Sequence, residues 1–311
     1  MDMQAQHSTV LLNEAVTELI VNPKGVYVDG TFGRGGHSAL ILERLNNDAA
    51  LIGIDKDDDA IAAAQANFSD DQRFEIVKGS FAELKQIVEQ RDLMGKVDGI
   101  LLDLGVSSPQ LDQAERGFSF LNDGPLDMRM DVSRGQTAEQ WVNSAEEKEI
   151  ARVIKEYGEE RFARRMAKAI VLEREQKKIT TTHQLAKIIA DAHPAWEKGK
   201  NPATRAFQAI RIYINDELKD LELVLEQALD VLVSGGRIVV ISFHSLEDHR
   251  VKRFIRKHEK GDSFPAGLPI TEDMLNKRLR SVAKQVRPSQ EEINNNPRAR
   301  SAIMRVAEKI A

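Results

Sequence analysis

The sequence predicts an α/β fold in which a mainly parallel sheet is interrupted by an all-helical insertion. An apolar run at residues 26–28 ends at Asp29 and leads through a glycine-rich turn into a helical pattern. Further short apolar runs end at or near an acid, at Asp55 and at Asp103. Residues 137–192 have a helical pattern throughout and no plausible strand. Alternating strands and helices are typical of a parallel sheet, so the helical block is predicted to interrupt that sheet.

The turn after the first strand contains Gly33, Gly35 and Gly36. Glycine suits such a turn because a side chain would keep the backbone from closing on a ligand, and because the turn uses positive φ. The helix that follows offers free N–H groups at its N-terminus. Asp55 ends a second strand about twenty residues later, where doubly wound sheets place a carboxylate that binds ribose hydroxyls. Together these features predict a Rossmann-like nucleotide-binding sheet.

The other elements follow from apolar periodicity and turn residues. Residues 8–20 predict a short helix capped by Ser8 or Thr9, and residues 111–131 predict a long ordered loop. One long helix is predicted from Ala203 to about Val233. Strands are predicted at residues 26–29, 50–55, 74–78, 97–104, 237–243 and 301–307.

The predicted domains follow from this order of elements. The sheet domain comprises residues 1–112 and 207–311, and the helical insertion comprises residues 113–206. The long helix carries one apolar stripe, which predicts a single core-facing surface; its members are Phe207, Ile210, Ile214, Leu218, Leu221 and Leu225. The glycines of Ser234-Gly235-Gly236 are predicted to end that helix before the fifth strand.

Composition excludes several classes of protein. The 311 residues contain no apolar run of 18 and no cysteine, which excludes a membrane span, disulfides and thiolate metal sites and favours a reducing, cytoplasmic compartment. Residues 1–7 are not basic and lead into no signal-peptide core.

The net charge of −5 hides an asymmetry, since residues 250–311 hold 15 Lys and Arg against 7 Asp and Glu. A local phosphate-binding surface needs such a concentration of cations, although a solvated charged face is equally compatible with it.

The glycine turn discriminates between two nucleotide cofactors. NAD-binding turns have the spacing Gly-x-Gly-x-x-Gly, whereas here Asp29-x-Thr31-x-Gly33-x-Gly35-Gly36 occurs. An acid at the start of the loop suits a cationic cofactor and opposes a pyrophosphate. No second mononucleotide-binding half follows residue 110. These features favour S-adenosyl-L-methionine over NAD and leave an NAD-dependent oxidoreductase as the alternative.

Longer motifs resemble the ribosomal RNA small subunit methyltransferase H family over nearly the whole chain. The resemblance implies a Rossmann-like S-adenosylmethionine-dependent enzyme that methylates N4 of a cytidine in the decoding region (P site) of 16S rRNA in the small ribosomal subunit. It also implies a helical insertion for substrate recognition and a homodimer. A non-catalytic ribosome-assembly factor remains a further alternative. The motifs are residues 7–12, 29–38, 103–110, 115–120, 124–130, 243–248 and 296–301.

Carried over position by position, the resemblance implies a set of cofactor-binding residues. Asp55 suits ribose hydroxyls, Phe81 suits the adenine ring, and His37 opens the helix after the loop. The register of Asp55 argues against the alternative that it caps the next helix. Phe81 as a core residue and His37 without a ligand stay open as alternatives. The implied residues are Gly33, Gly35, Gly36, His37, Asp55, Phe81, Asp103 and Gln110.

Asp103 is the candidate catalytic residue. Methyltransferases that act on exocyclic amines often have Asp or Asn followed by Pro-Pro-aromatic here, so that an oxygen accepts the amine hydrogens and the aromatic stacks on the flipped base. The acid is present, but Leu104-Gly105-Val106 follows it. Stacking must therefore come from elsewhere; the candidates are Phe118, Phe120 and Phe243.

Substrate-binding residues are expected after the fourth and fifth strands. A metal site at His244, Asp248 and His249 is disfavoured, because clusters of His and Asp at strand ends more often form hydrogen bonds within the fold. No metal is expected. A Ser-His-Asp hydrolase is disfavoured because the Gly-x-Ser-x-Gly elbow is absent. Further candidates for RNA phosphates are Arg250, Lys252, Lys257, Arg298 and Arg300, together with Arg161, Arg164, Arg165 and Lys168 of the insertion. The expected substrate-binding residues are Ser107, Ser108, Pro109, Phe243, His244, Arg253 and Arg256.

Overall fold

The computed structural model describes residues 9–195, 201–265 and 271–310. The chain forms two compact units. The first comprises Met1–Gly105 and Leu218–Ala311, and the second comprises Val106–Glu217. The sequence places the insertion at residues 113–206, which lie within the second unit.

The first unit contains a seven-stranded sheet with the order β3-β2-β1-β4-β5-β7-β6. Strands β1 to β5 are parallel, and β7 runs antiparallel to both β5 and β6. The order reverses between β1 and β4, and such switch points are where parallel sheets bind ligands, beyond the carboxyl ends of their strands. The strands are β1 Val26–Asp29, β2 Ala50–Asp55, β3 Phe74–Lys78, β4 Val97–Asp103, β5 Leu232–Ser242, β6 Leu279–Val286 and β7 Ile303–Lys309.

Helices cover both faces of this sheet. Alternate residues of each parallel strand point to opposite faces, so that Ile100 and Leu102 of β4 join one apolar layer while Leu101 joins the other. The first layer includes residues of α4, α11 and α12, and the second includes residues of α1 and α2. The helices are α1 Leu12–Leu19, α2 Gly36–Arg44, α3 Asp58–Phe68, α4 Leu84–Glu89, α11 Glu217–Val231, α12 Ser245–Lys260 and α13 Gln290–Asn295.

The second unit is an array of helices around its own core. Trp141, Met166 and Ile189 are among the buried residues of that core. Two of its helices begin at a threonine cap. The Thr137 side chain accepts a hydrogen bond from Gln140 N at the start of α6 (Ala138–Ser144), and the Thr181 side chain accepts one from Gln184 N at the start of α9 (Thr182–Ala192). No regular strand occurs in residues 137–192, as the sequence predicts. One isolated β-bridge pairs Pro125 with Thr181. The helices are α5 Ser108–Asp112, α6 Ala138–Ser144, α7 Glu147–Gly158, α8 Ala163–Gln176, α9 Thr182–Ala192 and α10 Ala203–Ile214.

The single helix predicted from residue 203 to 233 is wrong. The chain leaves helical geometry at Asn215, and Asp216 has a positive φ of 53°. The amide of Asn215 accepts a bond from Met130 N at 2.7 Å and donates one to Met128 O at 2.8 Å. These bonds hold the break within the second unit, so the apolar stripe serves two cores. Phe207 and Ile210 pack in the second unit, whereas Leu221 and Leu225 pack in the first.

Two smaller predictions also need correction, and one strand was not predicted. Residues 234–236 do not end the helix but lie inside β5, where the register shifts between the Val97–Leu232 and Gly99–Arg237 pairs. Strand β6 has no counterpart among the predictions. The first helix has Leu11 at its N-cap, not Thr9, and Ser8 lies outside the described residues. Leu11 N instead donates to Glu292 Oε1 at 2.7 Å.

No helix in the described part of the chain is long and apolar enough to cross a membrane.

Candidate active site

The loop after β1 is bonded to the strands on both of its sides. Gly30 N donates to Leu101 O at 2.9 Å, and Asp103 N donates to Thr31 Oγ1 at 2.6 Å. On the other side, Gly33 N donates to Asp55 Oδ2 at 2.8 Å. The carboxyl ends of β1, β2 and β4 are therefore joined through this loop, and the region at these strand ends is named the crevice.

Gly35 and Gly36 are required by packing within the chain. Gly35 has a φ of +79°, and a Cβ there would lie 2.6 Å from Phe68 and 2.7 Å from Phe32. A Cβ on Gly36 would lie 1.9 Å from Thr9 Oγ1. In the sequence these glycines are explained by the approach of a ligand to the backbone. In the structure a Cβ at either position would also displace neighbouring side chains, and Gly35 has a positive φ.

Asp29 is buried beneath the loop. Its Oδ1 accepts a bond from Thr31 N at 3.1 Å, and its Oδ2 accepts one from the Ser38 hydroxyl at 2.7 Å. Burial raises the pKa of Asp29 to about 6, because the charged form loses its hydration. The nearby carboxyl of Asp55 raises the pKa further, while the two bonds oppose the rise.

Asp55 fixes two loops at once. Besides the bond from Gly33, its Oδ1 accepts a bond from Asp57 N at 2.9 Å. The alternative that Asp55 caps the next helix is wrong, since Asp57 is the N-cap of α3 and accepts from Asp59 N at 3.1 Å. Burial raises the pKa of Asp55, but the side chain keeps partial exposure to solvent. It is therefore accessible to a ligand in the crevice.

Phe81 begins a short 3-10 turn just after β3. The ring is half-buried, and Lys56 Nζ lies 5.7 Å from its centroid. Lys56 is held in turn by Asp220 at 2.5 Å, which also accepts a bond from the Ser80 hydroxyl at 2.9 Å. Phe81 is thus a partly exposed ring in a polar setting, although part of it packs against the core.

Asp103 and His37 meet at the end of β4. His37 Nδ1 lies 3.7 Å from Asp103 Oδ2. The buried atoms Asp103 Oδ1 and His37 Nε2 have no hydrogen-bond partner among the described residues. Burial raises the pKa of Asp103 well above its usual value, and the charges of Asp29 and Glu247 raise it further. Burial lowers the pKa of His37 to about 4, so this ring is neutral at physiological pH.

Unpartnered buried polar atoms cost free energy, and a bound molecule can supply the missing bonds. The end of β5 has the same property. Ser242 Oγ and both ring nitrogens of His244 are buried without a hydrogen-bond partner in the described part of the chain. A cation bound between Asp29, Asp55 and Asp103 would also offset the repulsion between these three carboxyl groups. The crevice therefore suits a ligand that has hydrogen-bond donors and a positive charge.

Glu247 is a site residue to which the sequence argument gave no role. Its side chain is 3% exposed, and its Oε2 accepts bonds from Phe243 N at 2.8 Å and His244 N at 3.3 Å. The signal was available in the sequence, because an acid three residues after a helix N-cap commonly reaches back to the backbone.

The predicted residues between Val106 and Glu217 belong to the second unit. Ser107 is the N-cap of α5, and its backbone N donates to Gln110 Oε1 at 2.9 Å. Of the candidates for stacking on a base, Phe118 is buried in the core of this unit, and Phe120 meets Phe207 edge-on with ring centroids 4.8 Å apart. Phe243, in the first unit, is partly exposed. Of the three rings, Phe118 therefore offers the least free surface.

A family model described as the MraW methylase family matches residues 4–310. The chain belongs to this family. The family resemblance read from the motifs is thereby confirmed, and the protein is an rRNA methyltransferase with an RNA substrate. MraW methylases depend on S-adenosyl-L-methionine, so the predicted cofactor and the Rossmann-like methyltransferase fold are confirmed. The family assignment disfavours the alternative of an NAD-dependent oxidoreductase.

Solved structures show more distant likenesses. A protein of Clostridium thermocellum provisionally described as an rRNA methylase is 12% identical, with 97% of this chain and 99% of that chain covered and a TM-score of 0.46. An rRNA methylase from Streptococcus thermophilus is 12% identical, with coverages of 96% and 93% and a TM-score of 0.39. Aeropyrum pernix fibrillarin, solved with natively bound S-adenosyl-L-methionine, is 10% identical, with coverages of 94% and 72% and a TM-score of 0.38. At these values the likenesses carry no argument, and the assignment rests on the family model.

This MraW methylase has two exposed cationic helix faces, one in each unit. On α12, the exposed side chains of Lys252, Arg253 and Arg256 make no ion pair with any other described residue, whereas Arg250 and Lys257 pair with glutamates of α11. On α8, Arg164, Arg165 and Lys168 are likewise exposed and unpaired within the described ranges. No group of three or more His, Asp and Glu with a metal-binding arrangement occurs in those ranges.

The buried acid of the loop predicts a pH dependence of stability. Asp29 holds its proton more tightly in the folded state than in the unfolded chain, so its contribution to stability is present at low pH and is lost as pH rises from about 4 to about 6. Asp29→Asn removes this ionisation while keeping an oxygen for Thr31 N. As pH rises from about 5 to about 7, the free energy of unfolding should fall in the variant by about 1 kcal/mol less than in the wild type.

Chemical unfolding of the cofactor-free protein at the two pH values measures this difference. Asp70→Asn, at an exposed carboxyl, is the control and should follow the wild type. Equal pH dependence in Asp29→Asn and the wild type would show that Asp29 is already ionised at low pH.

Proposed function

We propose that the protein transfers a methyl group from S-adenosyl-L-methionine to N4 of a cytidine in the decoding region (P site) of 16S rRNA in the small ribosomal subunit. The observation that carries the proposal is the pair of unpartnered buried atoms, Asp103 Oδ1 and His37 Nε2, at the end of β4. Exocyclic amines and cationic cofactors both offer the hydrogens that a carboxylate at this place accepts. The specific base and position rest on the family resemblance.

In this proposal the cofactor lies against the loop after β1. The bound cofactor supplies an electrophilic methyl group on a cationic sulfur. Asp55 would bind the ribose hydroxyls, Phe81 would cover the adenine, and His37 and Asp103 would hold the methionine end beside the backbone of Gly33, Gly35 and Gly36. The half-exposed states of Asp55 and Phe81 support these roles. Gln110 is assigned by the family resemblance alone.

Asp103 would also orient the cytidine amine. In the free protein its raised pKa favours the neutral carboxyl. A positive charge bound nearby favours ionisation, and the carboxylate then accepts a hydrogen of the amine so that the nitrogen lone pair faces the methyl group. Because placement of the two reactants provides most of the rate in such a reaction, no metal is needed. Stacking on the base would fall to Phe243, with His244 beside it.

The RNA backbone would be held by Lys252, Arg253 and Arg256 of α12 and by the cations of α8. Unpaired exposed cations on one helix face suit phosphates, which set affinity and salt dependence, while the base is recognised in its pocket. Ser107, Ser108 and Pro109 are assigned to the substrate by the resemblance. A homodimer and a cytoplasmic location belong to the same proposal, on the resemblance and on the absence of cysteine.

Mass mapping of rRNA tests the proposed reaction. RNA from cells with and without the protein should differ by one methyl group on one cytidine of the decoding region, and purified protein should restore it to small subunits from the deficient cells. Loss of a methyl group elsewhere, or on another base, would refute the proposed substrate. Binding to small subunits without restoring the methyl group would favour the alternative of an assembly factor.

Asp103→Asn tests the proposed catalytic residue. The amide keeps the shape of the side chain but loses the charge that orients the amine, so the rate of methyl transfer should fall by about 10²-fold or more. Asp98→Asn is a matched control, because Asp98 lies in the same strand and binds Val26 N at 2.9 Å at the opposite end of the sheet. Full turnover of Asp103→Asn with normal cofactor affinity would refute the role.

Reversal of two charges on α12 tests the RNA surface. Arg253→Glu with Arg256→Glu should weaken RNA binding and reduce the slope of log affinity against log salt by about two, one for each lost phosphate contact. The control is Lys148→Glu with Lys155→Glu, which reverses two exposed cations on α7. An unchanged salt slope in the α12 variant would show that this face does not contact the RNA.

A further inference from the structure

His244 lies at the end of β5, immediately before α12. Its side chain is 10% exposed, and neither ring nitrogen has a hydrogen-bond partner among the described residues. Nε2 lies 3.0 Å from Oε1 of Glu247. Nδ1 is buried without a hydrogen-bond partner in the described part of the chain, so it can accept or donate a proton.

Glu247 is held rigidly beside this ring. Its Oε2 accepts bonds from the backbone N–H groups of Phe243 and His244, which leaves Oε1 toward the imidazole. A carboxylate fixed in this way orients the ring and stabilises the positive charge that appears when the ring takes up a proton. His244 and Glu247 also stand in a capping-box arrangement at the start of α12, although neither ring nitrogen completes a hydrogen bond there.

The pair lies at the edge of the crevice that contains Asp103. Asp103 and Ile241 are neighbours across β4 and β5, and Leu104 N donates to Ile241 O at 2.9 Å. A side chain on Gly105 would lie 3.8 Å from the Phe243 ring. The negative charge of Glu247 also acts on Asp103. His244 therefore lies three residues after Ile241, which pairs with Asp103 across the two strands.

An amine that has gained a methyl group carries one proton too many. The N–H bond must break with its electron pair left on the nitrogen, and a base must take the proton. We propose that Nδ1 of His244 takes this proton and passes it to solvent, and that Glu247 is the positioning residue that stabilises the imidazolium. This inference rests on the proposed methylation of a cytidine amine, and it gives His244 a chemical role where the resemblance gave only contact with the substrate.

Removal of the ring tests this proposal. For His244→Ala, the single-turnover rate of methyl transfer should fall by about 10² to 10³-fold, as for loss of a general base. Added imidazole should raise the rate of His244→Ala about tenfold, since it replaces the missing base in the space left by the ring. Glu247→Gln keeps an oxygen for the backbone N–H groups, and its rate should fall by about tenfold without rescue by imidazole. His249→Asn, at an exposed histidine of the same helix, should behave as the wild type.

RNA affinity of the cofactor-free protein provides an independent measurement. It should stay within about threefold of the wild type in His244→Ala, because a proton acceptor contributes little to ground-state binding. A full rate in His244→Ala overturns the proposal, as does a loss of rate that imidazole does not restore or that is matched by lost RNA binding. Failure of the wild type itself to methylate a cytidine amine would refute the proposed function instead, so the two failures are distinguishable. Thermal unfolding identifies a variant that fails to fold, and His244→Gln then replaces His244→Ala in the same comparison.

Discussion

Everything at the crevice depends on the bonds that tie one loop to two strands. Gly30 and Thr31 join the loop after β1 to β4, and Gly33 joins it to the carboxylate of Asp55 at the end of β2. These bonds leave little freedom to the turn, so its N–H groups and the start of α2 keep a fixed position. The loop is thereby organised before any ligand arrives, and binding does not have to order it.

The same organisation concentrates negative charge. Asp29, Asp55 and Asp103 end adjacent strands, and each has its pKa raised mainly by burial. Glu247 adds a further acid at the end of β5. A fold that held these groups only for stability would gain by replacing them with neutral side chains. A cationic ligand reverses that balance, as the proposed sulfonium cofactor would for Asp29 and Asp103, whereas the acid at the end of β2 also occurs in pyrophosphate-binding sheets.

Local sequence patterns predicted much of the sheet and of the crevice. Six of the seven strands and the loop could be placed, because apolar runs and turn residues lie next to one another in the sequence. The break at Asn215 could not, since it depends on bonds to Met128 and Met130, more than eighty residues away. Strand β6 was missed because it lies at the edge of the sheet and its residues, Leu279–Val286, form no continuous apolar run. Glu247 has a recognisable spacing, but its importance comes from the unpartnered ring beside it, which only the folded chain reveals.

A crystal structure with bound S-adenosylhomocysteine tests the central claim most directly. The account predicts the amino acid end of this ligand against Asp103 and His37, and its ribose against Asp55. Density for the ligand away from the ends of β1, β2 and β4, with the loop after β1 making no contact to it, would contradict the account.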